Sequence, residues 1–263
     1  MPDGKGWSDV FEHLEVSTAA EDGVTWIRLD RPERRNALNA ALVRELKEAL
    51  GAADADERVR LVALAGNGPD FCAGADLGEV QAAVEEGAMA SLADAASLGE
   101  LFLLIRQLGK PVVAVVEGRA LAGGCGLATS CDLVLASGSA RFGYPEVRLG
   151  FVPAMVMAIL RRNVGEKRAF ELIATGDSID AERALELGLV NRVWPDRVFE
   201  SEAADYVAEL ASRSASALAL SKRLLYQIDG QSFEGAIGAG AQVNALARLT
   251  EDCRAGIGRF LER

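Results

Sequence analysis

Histidine is almost missing from this chain: among 263 residues the only one is His13. That scarcity removes most imidazole chemistry at once. A Ser-His-Asp or Cys-His nucleophile would need His13, which precedes the first clear strand, to fold over a distant site, and no ligand set is clustered for zinc. No metal is expected. Cysteine is scarce as well. Cys72, Cys125, Cys131 and Cys253 fit neither a CxxC site nor a disulfide framework, so reduced thiols in a cytoplasmic protein are expected. The opening MPDGKGWSDVFEH lacks the apolar run of a signal peptide, and no apolar stretch reads as long enough to span a membrane. Basic residues are outnumbered, 28 against 39, for a net charge of −11. That balance argues against a nucleic-acid partner. Carboxylates and backbone dipoles remain to carry any chemistry.

Apolar residues, in contrast, make up half of the chain, enough for a full core. GVTWIRLDRP alternates as a strand and stops at Pro32. In NALNAALVRELKEAL, Asn39 serves as an N-cap, and Leu42, Val43, Leu46, Ala49 and Leu50 make a helical stripe. VRLVALAG (59–66), PVVAVVEG (111–118) and CDLVLAS (131–137) read as strands buried on both faces. A helix is expected over about 90–108. Alternating buried strands and helices specify an α/β layered domain. LVALAGNGPDFCAGADL and VVAVVEGRALAGGCGL share one pattern, a buried strand, a glycine-bearing turn, then small residues opening a helix. That pattern suggests a structural repeat. Helices follow from Pro153, punctuated at Gly165, with later breaks expected near Ser212–Ser216, Gly230 and Gly235. The expected organisation is an α/β core over 1–196 and a helical region over 197–263, with no linker between independent domains.

The small residues of FCAGADL (71–77) and LAGGCGL (121–127) place bare backbone where a strand ends and a helix begins. A helix N-terminus exposes unpaired N–H groups with a partial positive charge. Two such termini meeting in space would aim a pair of donors at one point, the construction of an oxyanion hole. The competing reading is that Gly123 and Gly124 only allow close packing of helix on strand. In ARFGYPEVRLGF (140–151), Glu146 sits among apolar residues that would raise its pKa toward general acid or base use. An exposed loop glutamate is the ordinary alternative.

Taken together, LDRPERRNALN, FCAGADL, EGRALAGGCGLATSCDLVLAS, RFGYPEVRLGFVP, GEKRAFELIATGDSIDAERALELGLVNRV and EDCRAGIGRFLER resemble the enoyl-CoA hydratase/isomerase (crotonase) family, from about residue 10 to the C-terminus. The resemblance implies a crotonase-like spiral of repeated strand-strand-helix units with a helical C-terminal region used for trimerisation. It implies an acyl-CoA substrate, with coenzyme A part of that substrate and no separate cofactor, and a homotrimer or homohexamer. It assigns Ala75 and Gly123 as the N–H donors to the thioester oxygen and Glu146 as the acid/base. Arg34, Arg35 and Ala37 fall on the loop that meets the CoA arm, where either arginine could answer its phosphates. Ala73, Asp76, Leu77 and Gly124 fall on further substrate-binding positions.

One position departs from the pattern. The family's two-glutamate hydratases carry a catalytic glutamate where this chain has Gly126, and GFVPAMVMAILRR lacks the glycine-rich continuation common after the proline. A lone carboxyl suffices for a 1,3-proton shift. Relatives that resemble methylglutaconyl-CoA hydratases also carry glycine there, so a branched-chain or methylglutaconyl-type substrate is consistent with the sequence. Hydration of a 2-enoyl-CoA is the reading adopted. A Δ3–Δ2 enoyl-CoA isomerase and a non-catalytic acyl-CoA-binding protein stay open beside it.

Overall fold

The computed structural model describes residues 11–19 and 21–262. The chain opens with β1 (Leu14–Thr18), β2 (Val24–Leu29), α1 (Ala40–Ala55), β3 (Leu61–Gly66), α2 (Leu77–Glu86) and α3 (Ala88–Gln107). It continues through β4 (Val112–Val116), β5 (Arg119–Leu121), α4 (Gly123–Ser130), β6 (Leu133–Ser137), β7 (Arg141–Gly143), α5 (Ala154–Asn163) and α6 (Glu166–Thr175). The last elements are β8 (Ser178–Asp180), α7 (Ala181–Leu187), β9 (Arg192–Trp194), α8 (Asp196–Ala211), α9 (Ala215–Gln227), α10 (Phe233–Ala247) and α11 (Glu251–Leu261). Asn39 caps α1 as expected, its Oδ1 accepting from the Leu42 N–H at 2.8 Å.

The main sheet has the order β1-β2-β3-β4-β6-β9 and is parallel beyond the antiparallel β1–β2 pair. A smaller sheet, β5-β7-β8, stands beside it. Isolated bridges from Cys72 to Ala120 and from Leu38 to Ala75 extend that second layer. Each turn of the chain therefore adds a long buried strand, then a short pairing in the second layer, then a helix: β3, Cys72, α2; β4, β5, α4; β6, β7, α5. This is the repeat suggested by the two glycine-bearing segments, and the crotonase-like spiral. Parallel strands covered on both faces explain the continuous apolar runs, because neither face meets water. One face packs against α1, the end of α3 and α4. The other packs against α8, through Phe199, Ala203, Val207 and Ala211.

Two expectations need correction. Helix α3 is long and apolar enough, by length and composition, to cross a membrane, with a mean hydropathy of 1.6. Its alanines and leucines raise that mean, yet Leu101, Phe102 and Ile105 pack into the core. The break expected near Gly235 is instead the interval between α9 and α10, and Gly235 lies in the first turn of α10, its N–H bonded to Ser232 Oγ at 3.1 Å. Helix α9 is tied to the core by the buried Lys222, whose Nζ donates to the carbonyls of Ile105 and Lys110 and lies 2.8 Å from Asp132 Oδ2. Paired and fully hydrogen-bonded, that ammonium is tolerated in the interior.

Candidate active site

The segments FCAGADL and LAGGCGL meet. A Cβ added to Gly74 would lie 3.5 Å from the Gly123 nitrogen, and one added to Gly123 would lie 3.8 Å from the Ala75 nitrogen. Gly123 is the first residue of α4, so its N–H has no acceptor within the helix. Ala75 is bracketed by bonds that use its neighbours: Leu38 N–H donates to Gly74 O, and Asp76 N–H to Leu38 O. The Ala75 N–H itself has no acceptor among the described residues. The sharp turn before each amide is conformationally demanding. Gly74 has φ 104°, open to glycine, and Ala122 adopts φ 50° and ψ −125°, a strained state of the order of 1–3 kcal/mol. Such strain persists only where the surroundings hold it.

The two glycines of α4 separate cleanly by packing. A Cβ at Gly124 would meet the Cys72 carbonyl oxygen at 2.3 Å, so close approach of helix to strand requires glycine there. At Gly123 the nearest atoms are at 3.6 Å or more, ordinary contact distance. Packing accounts for Gly124, whereas at Gly123 it leaves room for a methyl group.

Beneath this pair lies a frame that the sequence did not single out. Buried Asn36, in the left-handed region, donates from Nδ2 to the carbonyls of Asn67 and Asp70 and accepts from the Arg31 N–H. Arg31 in turn donates to Ala37 O at 2.6 Å and to Asp76 Oδ2 at 3.3 Å. Asp76 also caps α2 through the Gly78 N–H. Buried Asp70 holds Arg119 of β5 through paired bonds of 2.7 and 2.9 Å. RPERRNAL and FCAGADL are thus bolted together on either side of Ala75, with Ala73 N–H donating to Arg35 O. The motif RPERRNAL was the available signal for Arg31 and Asn36. Arg34 and Arg35 are exposed at its rim, and Leu77 projects into solvent.

Glu146 arrives from the next repeat. The Ala122 N–H donates to Gly143 O at 2.8 Å, so β7 ends beside the start of α4 and delivers Tyr144, Pro145 and Glu146 there. A 3₁₀ turn over Pro145–Leu149 follows, closed by Gly150 at φ 70°. The Glu146 side chain is only 8 % exposed, and its Oε2 has no hydrogen-bond partner among the described residues. Loss of solvent pushes its pKa above the ordinary glutamate value. Among the described residues the Tyr144 hydroxyl is the other buried side-chain oxygen without a partner, and burial raises its pKa as well. Burial pushes the Cys72 and Cys125 thiols up to about 12, which leaves them protonated and unreactive at neutral pH.

No room exists at Gly126 for a second carboxyl. A Cβ there would lie 2.1 Å from Val156 Cγ1 of α5 and 3.2 Å from Phe102 Cζ. Val156 belongs to the very stretch, GFVPAMVMAILRR, that departs from the glycine-rich pattern. The two departures are one packing event.

A cavity of about 420 Å³ opens at Ala75; Gly123 and Glu146 are not among its lining residues. Ala75, Leu38 and Leu98 line it, and the latter two are also the side chains nearest Gly123. The rest of its lining comes from Asn39, Ala40 and Val43 at the start of α1 and from residues between Glu79 and Ser97 in α2 and α3. The arrangement thus brings the Ala75 and Gly123 amides close together and buries one carboxyl on the adjacent repeat.

The chain is similar to known proteins along nearly its whole length. The family model described as enoyl-CoA hydratase/isomerase matches residues 19–263. The 2,3-dehydroadipyl-CoA hydratase of Escherichia coli is 35% identical over 250 residues, 95% of this chain and 96% of the relative. The crotonyl-CoA hydratase of Syntrophomonas wolfei is 34% identical over 247 residues, 92% of this chain and 93% of the relative. A crystal structure of an enoyl-CoA hydratase from Mycobacterium smegmatis superimposes with a TM-score of 0.91 at 35% identity, covering 95% of this chain and 96% of that one. Matched over residues 19–263 and alike along nearly its whole length to these hydratases, this protein belongs to the enoyl-CoA hydratase/isomerase family.

Proposed function

We propose that the protein is a hydratase that adds water across the double bond of a 2-enoyl-CoA, with Ala75 and Gly123 holding the thioester oxygen and Glu146 moving the proton. The observation that carries this reading is the pair of unengaged N–H groups at Ala75 and Gly123, with no side chain between them. As water oxygen bonds to C3, the C2–C3 π electrons shift into the thioester, and the enolate oxygen takes the charge between the two amides. Glu146, ionised, accepts a proton from the water and returns it to C2, which closes the balance and restores the carboxylate. Arg34 and Arg35, exposed at the rim of the same loop, would pair with the CoA phosphates.

A second reading, the Δ3–Δ2 isomerase, is favoured by one observation: Val156 fills the space at Gly126, leaving a single carboxyl. A panel of 2-enoyl- and 3-enoyl-CoAs separates them, read by thioester-conjugated absorbance and by uptake of isotopically labelled water. Hydration predicts loss of conjugated absorbance from 2-enoyl-CoA with label uptake. A wild-type protein that only shifts double bonds would overturn the choice of reaction. The packing makes a further prediction. Gly126→Glu alone is expected to cost stability, at least the ~1–3 kcal/mol of an overpacked core, and to lose activity. Gly126→Glu with Val156→Gly is expected to recover the fold, measured by thermal melting.

The trimer or hexamer is part of the same proposal. Phe233, Ile237 and Phe260 of α10 and α11 are 76%, 60% and 77% exposed, an apolar surface of the kind that another subunit covers. Sedimentation at micromolar concentration is expected to give a trimer or its dimer; a monomer contradicts it.

A further inference from the structure

The cavity against Ala75 carries charge of one sign. Glu79, Glu86 and Asp94 line it, and no Lys, Arg or His does. Its other walls are mainly alanines with Leu38, Val43 and Leu98, and its two neutral polar side chains are engaged: Asn39 Oδ1 caps α1 and Ser97 Oγ accepts from Lys47 Nζ. Glu79 is engaged, accepting from the Ala40 N–H at the start of α1 at 2.6 Å. Glu86 and Asp94, by contrast, take part in none of the ion pairs among the described residues.

We infer that Glu86 and Asp94 are specificity-determining residues that select for uncharged acyl chains and reject acyl-CoAs whose chain ends in a carboxylate. The inference rests on the acyl-CoA reading of the site. An acyl chain whose thioester oxygen sits at Ala75 extends into this groove, because Leu38 and Leu98 wall both the amide pair and the cavity. A terminal carboxylate would then approach the two negative charges of Glu86 and Asp94, while Lys47, held on Ser97, is already paired with Glu100 at 2.8 Å. Like charges at such range repel, and the repulsion weakens with salt because both carboxylates are solvent-exposed. A methyl end meets an apolar wall of alanines with Leu38, Val43 and Leu98. The methylglutaconyl-type substrate, which carries a second carboxylate, is on this account a poor fit.

The test compares hexanoyl-CoA with adipyl-CoA, chains of equal length that differ in the terminal carboxylate. Calorimetric binding to the full chain is measured at low and high salt, for wild type and for Glu86→Gln/Asp94→Asn. Wild type is expected to bind hexanoyl-CoA at least about tenfold more tightly at low salt, with the ratio narrowing at high salt. In the double variant the ratio is expected to move several-fold toward parity. Equal wild-type affinities would overturn the inference. So would a ratio unchanged by the double variant, since preference would then come from the apolar wall alone. If neither thioester binds, the acyl-CoA reading itself falls and the inference falls with it.

Discussion

Glu146→Gln is expected to lower turnover of a 2-enoyl-CoA by about a thousandfold while acyl-CoA binding persists. General acid–base groups contribute on the order of 10²–10⁴ in rate, and Glu146 is here the only carboxyl for both proton transfers. Glutamine keeps the size and polarity of the side chain but cannot exchange the proton. The same substitution has a stability signature with a definite sign. Burial raises the folded-state pKa of Glu146, so the ionised form is disfavoured in the native protein. That cost is absent below the unfolded pKa and full above the raised folded one. Glu146→Gln should therefore raise the melting temperature at pH 7, with the gain shrinking toward pH 4. The acidic limb of kcat/KM should also lie above the ordinary glutamate range, since the base must be ionised. A variant that loses both activity and CoA binding would point to a disturbed fold instead of a missing proton carrier.

The second large effect is expected at Gly123. Gly123→Ala adds a methyl group with ordinary contacts to Leu98 and Leu38, so the fold should survive. Replacing glycine in a helix even favours the helix by up to about 1 kcal/mol. Yet the new Cβ stands 3.8 Å from the Ala75 nitrogen, in the space where an oxygen shared by both amides would sit. Alanine keeps the N–H, but crowding the oxygen away from it forfeits a stabilisation worth about 10²–10³ in kcat per donor, and at least a hundredfold loss is expected here, with the melting temperature unchanged or higher. Gly124→Ala is the counter-experiment. Its Cβ would meet the Cys72 carbonyl at 2.3 Å, so it should lower stability first. Equal behaviour of the two variants would mean that both glycines serve packing.

The strands β3, β4 and β6 were legible in the sequence because each is buried on both faces and carries an unbroken apolar run. Ala75, Gly123 and Glu146 were legible for a different reason, since their motifs follow such strands at repeated spacing. β5, β7, β8 and β9 were not, because three residues are too few to show a period. The contact of Val156 with Gly126 spans two helices and no local rule reports it. The clamp of Arg31 on Asp76 was hidden similarly, joining residues 45 apart along the chain. What sequence reasoning lacked throughout was the meeting of separate repeats, and the site is built from three of them.

The most direct measurement is a crystal structure of the protein with bound hexanoyl-CoA. The thioester oxygen is expected within about 2.7–3.1 Å of both the Ala75 and Gly123 nitrogens, with the Glu146 carboxyl facing the acyl carbons next to it. A thioester oxygen bound by other donors, or turned to solvent while CoA occupies the rim, would contradict the account.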